Sequence, residues 1–249
     1  MIRADLFNLL LKIAADRRST FPEEELTAFW PMSGQNWRHE LMIVGRAVNG
    51  WTDPWHPASV VDAARRSQIA LMTRSVSDGD GSECSMLWVS KSWGKGEPYN
   101  TRRSAFWRVV RLAVGELGIC DTSLAIWPSS ITWTNLYKLS PAAGGNPSSA
   151  LIRLQHEICV ELLRQEVDDY RPNRVLFLTG TDWAEPFLQQ LGTFEVRWNG
   201  LGSVQMAGIL QSKGFSSNVS VVVAQHPQGK GDSTYIDGLR EAWAACVAC

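Results

Sequence analysis

Four short apolar runs, each ending at a polar or glycine-containing turn, constrain this chain most. They occupy residues 41–45, 131–135, 175–180 and 220–224. Their length and β-branched content predict buried strands. Helical patterns between them imply a parallel sheet with helices on both faces. Side chains at the carboxyl ends of such strands meet in one crevice, so we expect a single site there, with Asn135 and His226 at its centre.

The length and composition predict one domain. The chain has 249 residues, of which 45% are hydrophobic and 20% charged, and no long linker divides it. We expect residues 1–249 to form a three-layer α/β/α domain with a central, mainly parallel sheet. No apolar run approaches the ~18 residues of a membrane span. The five cysteines suggest neither a zinc site nor a disulfide framework, so we expect a reduced, cytoplasmic, metal-free monomer.

Two compositional features allow more than one interpretation. There are 12 tryptophans, and those among polar and glycine residues either stack on a ligand or pack at the rim of the core. The net charge of −1 gives no overall attraction to a polyanion. Residues 91–111, however, hold six basic side chains against one acid, interleaved with aromatic residues. That stretch, with Arg102 and Arg103, is either a nucleic-acid contact or a solvated helix face.

Three segments together resemble the uracil-DNA glycosylase superfamily. Residues 134–141, with the sequence TNLYKLSP, are similar to the T-N-x-x-K-x-x-P segment of its thermophilic branch. Residues 159–180 resemble the long helix, the Arg-Pro stop and the glycine-terminated strand of that branch. The His-Pro of residues 226–227 lies where the superfamily has its His-Pro-Ser motif. The three segments occur in the expected order and cover much of residues 131–236.

The resemblance implies a hydrolase that removes uracil or a related damaged base flipped out of DNA. By that resemblance, Asn135 reads the edge of the base, with Gly45 and the stacking ring of Tyr99 beside it. His226 hydrogen-bonds the base and stabilises its anion as the glycosidic bond breaks. The residues themselves also allow a purely structural role: Asn135 as the cap of a turn, and His226 as a hydrogen-bonded structural histidine.

The same resemblance assigns DNA contacts, but this chain lacks most of the residues that would hold the cofactor of the thermophilic branch. Gln228, Gly229 and Lys230 form the loop pressed into the DNA groove, with Lys230 near a phosphate. The iron–sulfur cluster of the thermophilic branch needs four thiolates. In this chain only Cys159 falls at a ligand position, and Leu139 replaces another, so we expect no cluster and no other cofactor.

The chain departs from the superfamily at the catalytic loop. There the first strand ends in glycine followed closely by an acid or amide that positions the attacking water, whereas here Gly45 precedes Arg46 and Ala47. Asn49 and Asp53 are the candidates to replace it. If neither reaches the pocket, the alternative is a protein that binds nucleic acid or a nucleobase without hydrolysis. A third alternative is an unrelated α/β enzyme acting on a small molecule.

Overall fold

The protein is a mixed α/β protein. The computed structural model describes residues 3–20, 24–48, 50–79, 83–96, 99–212 and 218–247. The α-helices of this part of the chain are α1 (Arg3–Asp16), α2 (Ala63–Asp78), α3 (Trp88–Lys91), α4 (Ala105–Glu116), α5 (Ser149–Tyr170), α6 (Thr181–Leu191) and α7 (Ser233–Val247). The strands are β1 (Leu26–Ala28), β2 (Met32–Ser33), β3 (Leu41–Gly45), β4 (Thr132–Asn135), β5 (Leu139–Pro141), β6 (Arg174–Leu178), β7 (Thr193–Asn199), β8 (Val204–Gln211) and β9 (Val219–Ala224).

The main sheet has seven strands in the order β2-β4-β3-β6-β9-β8-β7 within the described residues. The four strands β4, β3, β6 and β9 are parallel neighbours, whereas β2, β8 and β7 add antiparallel pairings at the two edges. The sheet is therefore mixed, which corrects the expected mainly parallel sheet. One antiparallel pairing follows from a short connection: residues 200–203 join β7 to β8, and so short a loop permits only an antiparallel hairpin.

Helices cover both faces of this sheet. Side chains alternate along a strand, so Met42 and Val44 pack with residues of α1, α5 and α6, whereas Leu41 and Ile43 pack with residues of α3, α4 and α7. Two apolar cores result, one on each side of the sheet. The candidate site lies at the carboxyl ends of the strands, between these two helical layers.

Residues Ser85–Leu87 form a 3-10 turn that leads into α3. The long helix α5 begins at Ser149, because the Ser148 side chain accepts the capping hydrogen bond from the Leu151 amide.

Within the described residues, no helix combines the length and the apolar character that crossing a bilayer requires. In the same residues, no group of three or more histidine, cysteine or acidic side chains is arranged to hold a metal ion.

Candidate functional site

An open cleft lies at the carboxyl ends of three neighbouring parallel strands. The chain runs from β3 to β4 on one side and then crosses through α5 to β6 on the other side of β3. Such a reversal of strand order marks the position where open α/β sheets bind ligands. The cleft has a volume of about 420 Å³ and is lined by residues that follow β3, β6 and β9, together with one residue of β8: Arg46, Gly180, Thr181, Asp182, Trp183, Gln205, Gln225, His226, Gln228 and Lys230.

Arg46 is held in place at the cleft wall by a neutral acceptor and an aromatic ring. Its Nε donates to the main-chain oxygen of Thr179 at 2.7 Å, and its guanidinium carbon lies 5.0 Å from the centroid of the Trp183 ring. Burial lowers the pKa of Arg46, and the more distant charge of Asp182 opposes that shift. The result is a half-buried cation whose anchors carry no negative charge.

His226 is neutral at physiological pH in this setting. Burial, then the charges of Arg46 and Lys230, lower the pKa of its imidazole to about 4. Its Nδ1 lies 3.4 Å from the main-chain nitrogen of Gln228, which can only donate a hydrogen bond. In the neutral ring the proton therefore resides on Nε2, which makes His226 a hydrogen-bond donor toward a ligand.

Asn135 is fixed on the other side of Gly45, facing α4. The two residues are direct partners in the parallel register of β3 and β4. A Cβ atom on Gly45 would lie 2.3 Å from Asn135 Oδ1 and 3.4 Å from Phe106 Cε2, so only glycine leaves room for the amide. Asn135 is 2% exposed, and its Nδ2 is buried without a hydrogen-bond partner in the described structure. Asn135 is not among the residues that line the cleft.

A buried ion pair secures the turn that carries Asn135. Lys138 Nζ donates to Thr134 Oγ1 at 2.7 Å, to the main-chain oxygen of Asn135 at 2.7 Å and to Glu166 Oε2 at 3.0 Å. Thr134 Oγ1 in turn donates to Glu166 Oε2 at 2.7 Å. Because Lys138 and Glu166 are 1% and 0% exposed, this network is structural and closed to ligands.

Most tryptophans on the Asn135 side form packed core. Four indoles are in mutual contact, with ring centroids 5.1 to 6.0 Å apart: Trp51, Trp88, Trp107 and Trp133. The indole nitrogens of Trp51, Trp88 and Trp133 are buried and have no acceptor among the described residues. Trp51, the member of this cluster that lies among polar and glycine residues in the sequence, therefore packs against the core.

Tyr99, the predicted stacking residue, and Asp53, a predicted catalytic residue, are both exposed. Tyr99 is 49% exposed, with its ring centroid 6.3 Å from that of Trp88, and Phe106 is the aromatic residue adjacent to Gly45 and Asn135. Asp53 is exposed and does not line the cleft. Asn49 lies outside the described residues.

The predicted DNA contacts lie at the surface. Gln228 and Lys230 line the cleft, and Gly229 between them has a φ of 77°, a left-handed conformation that favours glycine. Arg102 and Arg103 are exposed just before α4. Their main-chain oxygens accept hydrogen bonds from Arg108, which also pairs with Asp232.

Sequence reasoning missed several residues that line the cleft. Asp182 and Trp183 lie in the first turn of α6, which begins just after β6, so the rule that sites form at strand ends would have included them. In the sequence, Arg46 stands out only as a departure from the superfamily motif. Gln205 lies on an antiparallel strand, and no sequence signal connects it to the site.

Comparison with known proteins assigns no family. No protein-family model matches the chain, and a search of curated proteins found no significant match.

Proposed function

We propose that this protein is a DNA glycosylase-like enzyme that hydrolyses the N-glycosidic bond of uracil or a related damaged base flipped out of DNA. One observation carries the proposal: Arg46, His226 and Lys230 converge on one cleft at the ends of three adjacent parallel strands. When the glycosidic bond breaks, the bonding electrons leave with the base as an anion while water adds to C1′ of the sugar, and the proton that the water releases finally neutralises the base. The fixed His226 donor would stabilise that developing charge, while Arg46 and Lys230 would supply positive charge for the phosphates of the substrate.

The two sides of the strand ends suit different parts of such a substrate. Asn135 has a buried amide nitrogen with no acceptor, and burying such a donor costs free energy until a partner is supplied. A base carbonyl oxygen provides that partner. On the cleft side, His226 offers Nε2–H in its neutral form, and a neutral donor keeps this role over a wide pH range because its pKa is about 4.

The proposal extends to the fold and to DNA. Four parallel strands between two helical layers support a uracil-DNA glycosylase-like architecture. Lys230 on the cleft rim, with Arg102 and Arg103 beyond α4, would contact DNA phosphates. Such contacts make affinity fall with salt.

A second candidate, binding of the base without hydrolysis, is favoured by one specific observation. Asp53 is exposed and away from the cleft lining, and Arg46 stands directly after β3, where the superfamily has the start of its water-positioning segment. A guanidinium does not act as a general base at neutral pH, because it stays protonated. Hydrolysis must then rely on stabilising the leaving anion.

The decisive experiment is a cleavage assay on single- and double-stranded oligonucleotides that carry one uracil, hypoxanthine or xanthine, followed by alkali. We expect strand breaks at the modified position that are lost in Asn135→Ala and His226→Ala. The matched control is His39→Asn, an exposed histidine with φ of 63°, where asparagine is well tolerated. DNA binding without any strand break would establish the second candidate. Neither binding nor cleavage would reject both.

A further inference from the structure

The cleft contains an excess of positive charge with no internal counter-ion in contact. Its charged lining residues are Arg46, Lys230 and a single acid, Asp182, with His226 neutral at pH 7 because its pKa is about 4. Among the described residues, neither Arg46 nor Lys230 forms an ion pair, and Asp182 acts on Arg46 only at longer range. A half-buried cation without a carboxylate partner is costly to maintain unless a ligand supplies the anion.

The Arg46 guanidinium is oriented before any ligand arrives. Its Nε is taken by the Thr179 oxygen and its flat face rests on Trp183. Nη2 lies beside Gly180, 3.7 Å from the position of a Cβ atom there, and in the described structure neither terminal nitrogen donates to a protein acceptor. Two parallel N–H groups on an anchored guanidinium match the paired oxygens of a phosphate.

We propose that this cleft is a phosphate-binding site, in which Arg46 and Lys230 hold a phosphate ester of a nucleotide. The choice of a nucleotide rests on the proposed function, whereas the anion site itself stands on the geometry of the cleft. The phosphate would then lie on the α6 side of the cleft, and the base would lie between His226 and Asn135, the two donors that the proposed function assigns to it. Gln205, Gln225 and Gln228 add neutral side chains to the lining and leave the positive charge undiminished.

The first test uses inorganic phosphate and the histidine ring signals in NMR. The chain has four histidines, so the signals of His226 can be assigned by the His226→Asn variant. Because an anion beside an imidazole favours its charged form, saturating phosphate should raise the pKa of His226 from about 4. No change in the His226 titration and no binding by calorimetry would overturn the proposal.

Variants test which cations are responsible. Arg46→Gln and Lys230→Gln should each weaken phosphate binding about tenfold, the usual effect of losing one charge-assisted hydrogen bond. The matched control is Arg65→Gln, an exposed arginine of α2 bonded to Gln68, which should bind phosphate like the wild type. Thermal unfolding of each variant verifies the fold. Equal weakening by the control would mean unspecific charge attraction and would refute the site.

The last arms separate the source of the phosphate from the proposed function. Deoxyuridine monophosphate and an oligonucleotide without terminal phosphate or damaged base are compared with deoxyuridine. Tighter binding of the monophosphate than of deoxyuridine would identify the ligand group as a terminal phosphate. Tighter binding of the oligonucleotide than of deoxyuridine would identify it as a phosphate of the DNA backbone. Both outcomes support the site. Equal binding of deoxyuridine overturns it. Because none of these ligands needs to be cleaved, base excision with no phosphate binding refutes only this inference, and phosphate binding with no excision refutes only the enzyme.

Discussion

Two cations follow neighbouring strands, and they differ in nearly every physical respect. Lys138, after β4, is fully buried, and its three ammonium hydrogens have three acceptor groups: Thr134, Asn135 and Glu166. Arg46, directly after β3, is half-buried and anchors only its Nε–H on the described protein, at Thr179. The positive charge of Lys138 is paired within the fold, whereas the positive charge of Arg46 is available to a ligand.

The difference shows that cations at neighbouring strand ends have different roles, one in stability and the other in binding. The free-energy cost of removing water from the Lys138 ammonium is offset by its hydrogen bonds to a carboxylate and two further oxygens. This network therefore stabilises the turn and positions Asn135. Arg46 has no such compensation, and its pKa is lowered by burial. Its charge is therefore the more sensitive to a bound anion, and variants of the two residues should separate stability from binding.

The largest expected effect is on stability, from Lys138→Met. The variant leaves the Glu166 carboxylate buried without its cation, which should lower the free energy of unfolding by about 3–5 kcal/mol. Denaturant unfolding measures this. The double variant Lys138→Met/Glu166→Leu should recover part of the loss, since no buried charge remains unpaired. Arg174→Gln, which breaks the partly exposed pair with Glu40, should cost at most about 1 kcal/mol. A loss of unfolding free energy in Lys138→Met no larger than the loss in Arg174→Gln would contradict the structural role of Lys138.

The next effect is expected from Gly45→Ala, which changes the boundary between the two sides. The added Cβ would clash with Asn135 Oδ1, and forced overpacking typically costs about 1–3 kcal/mol. Base excision should fall with it because the amide is displaced, while phosphate binding in the cleft should persist. Full excision activity in a folded Gly45→Ala protein would show that the position of Asn135 does not matter for the reaction.

Arg46→Gln should change stability by less than about 1 kcal/mol, because it removes one hydrogen bond and a ring contact and no paired charge. Its effect should appear in DNA binding instead. The slope of the logarithm of affinity against the logarithm of salt concentration should decrease by about one unit if Arg46 contacts one phosphate. An unchanged slope would place the DNA backbone outside the reach of Arg46.

The last prediction concerns the dependence of stability on pH. An unfolded histidine takes up a proton near pH 6.5, whereas His226 in the fold does so only near pH 4. Between these values protons favour the unfolded chain, so the free energy of unfolding should fall as pH falls from about 6.5 to about 4 and lose nothing more through this group below that. The charged groups in the same cleft are Arg46, Lys230 and Asp182. His226→Asn should show a shallower decline in denaturant unfolding at a series of pH values; an identical decline would assign it to other groups.

The candidate site was predictable only in part. The end of each buried strand was visible as a change from apolar to polar residues, and this placed Asn135 and His226 at the correct edge of the sheet. That His226 lines the cleft and Asn135 does not was not visible, because it depends on the order of the strands and on which face each side chain takes. For the same reason the position of Phe106 beside Gly45 was not visible in the sequence.

What the sequence by itself determined is local: apolar runs became strands, helical periodicity became helices, and Arg171-Pro172 ended α5. What only the tertiary structure decided is the set of partners across long stretches of chain. Glu166 reaches Lys138 from α5, and Trp183 reaches Arg46 from α6. Propensity and periodicity act over a few residues, whereas a buried charge is satisfied by whatever the packing of helices against the sheet brings near. Whether a cation belongs to the fold or to a ligand is therefore decided in three dimensions.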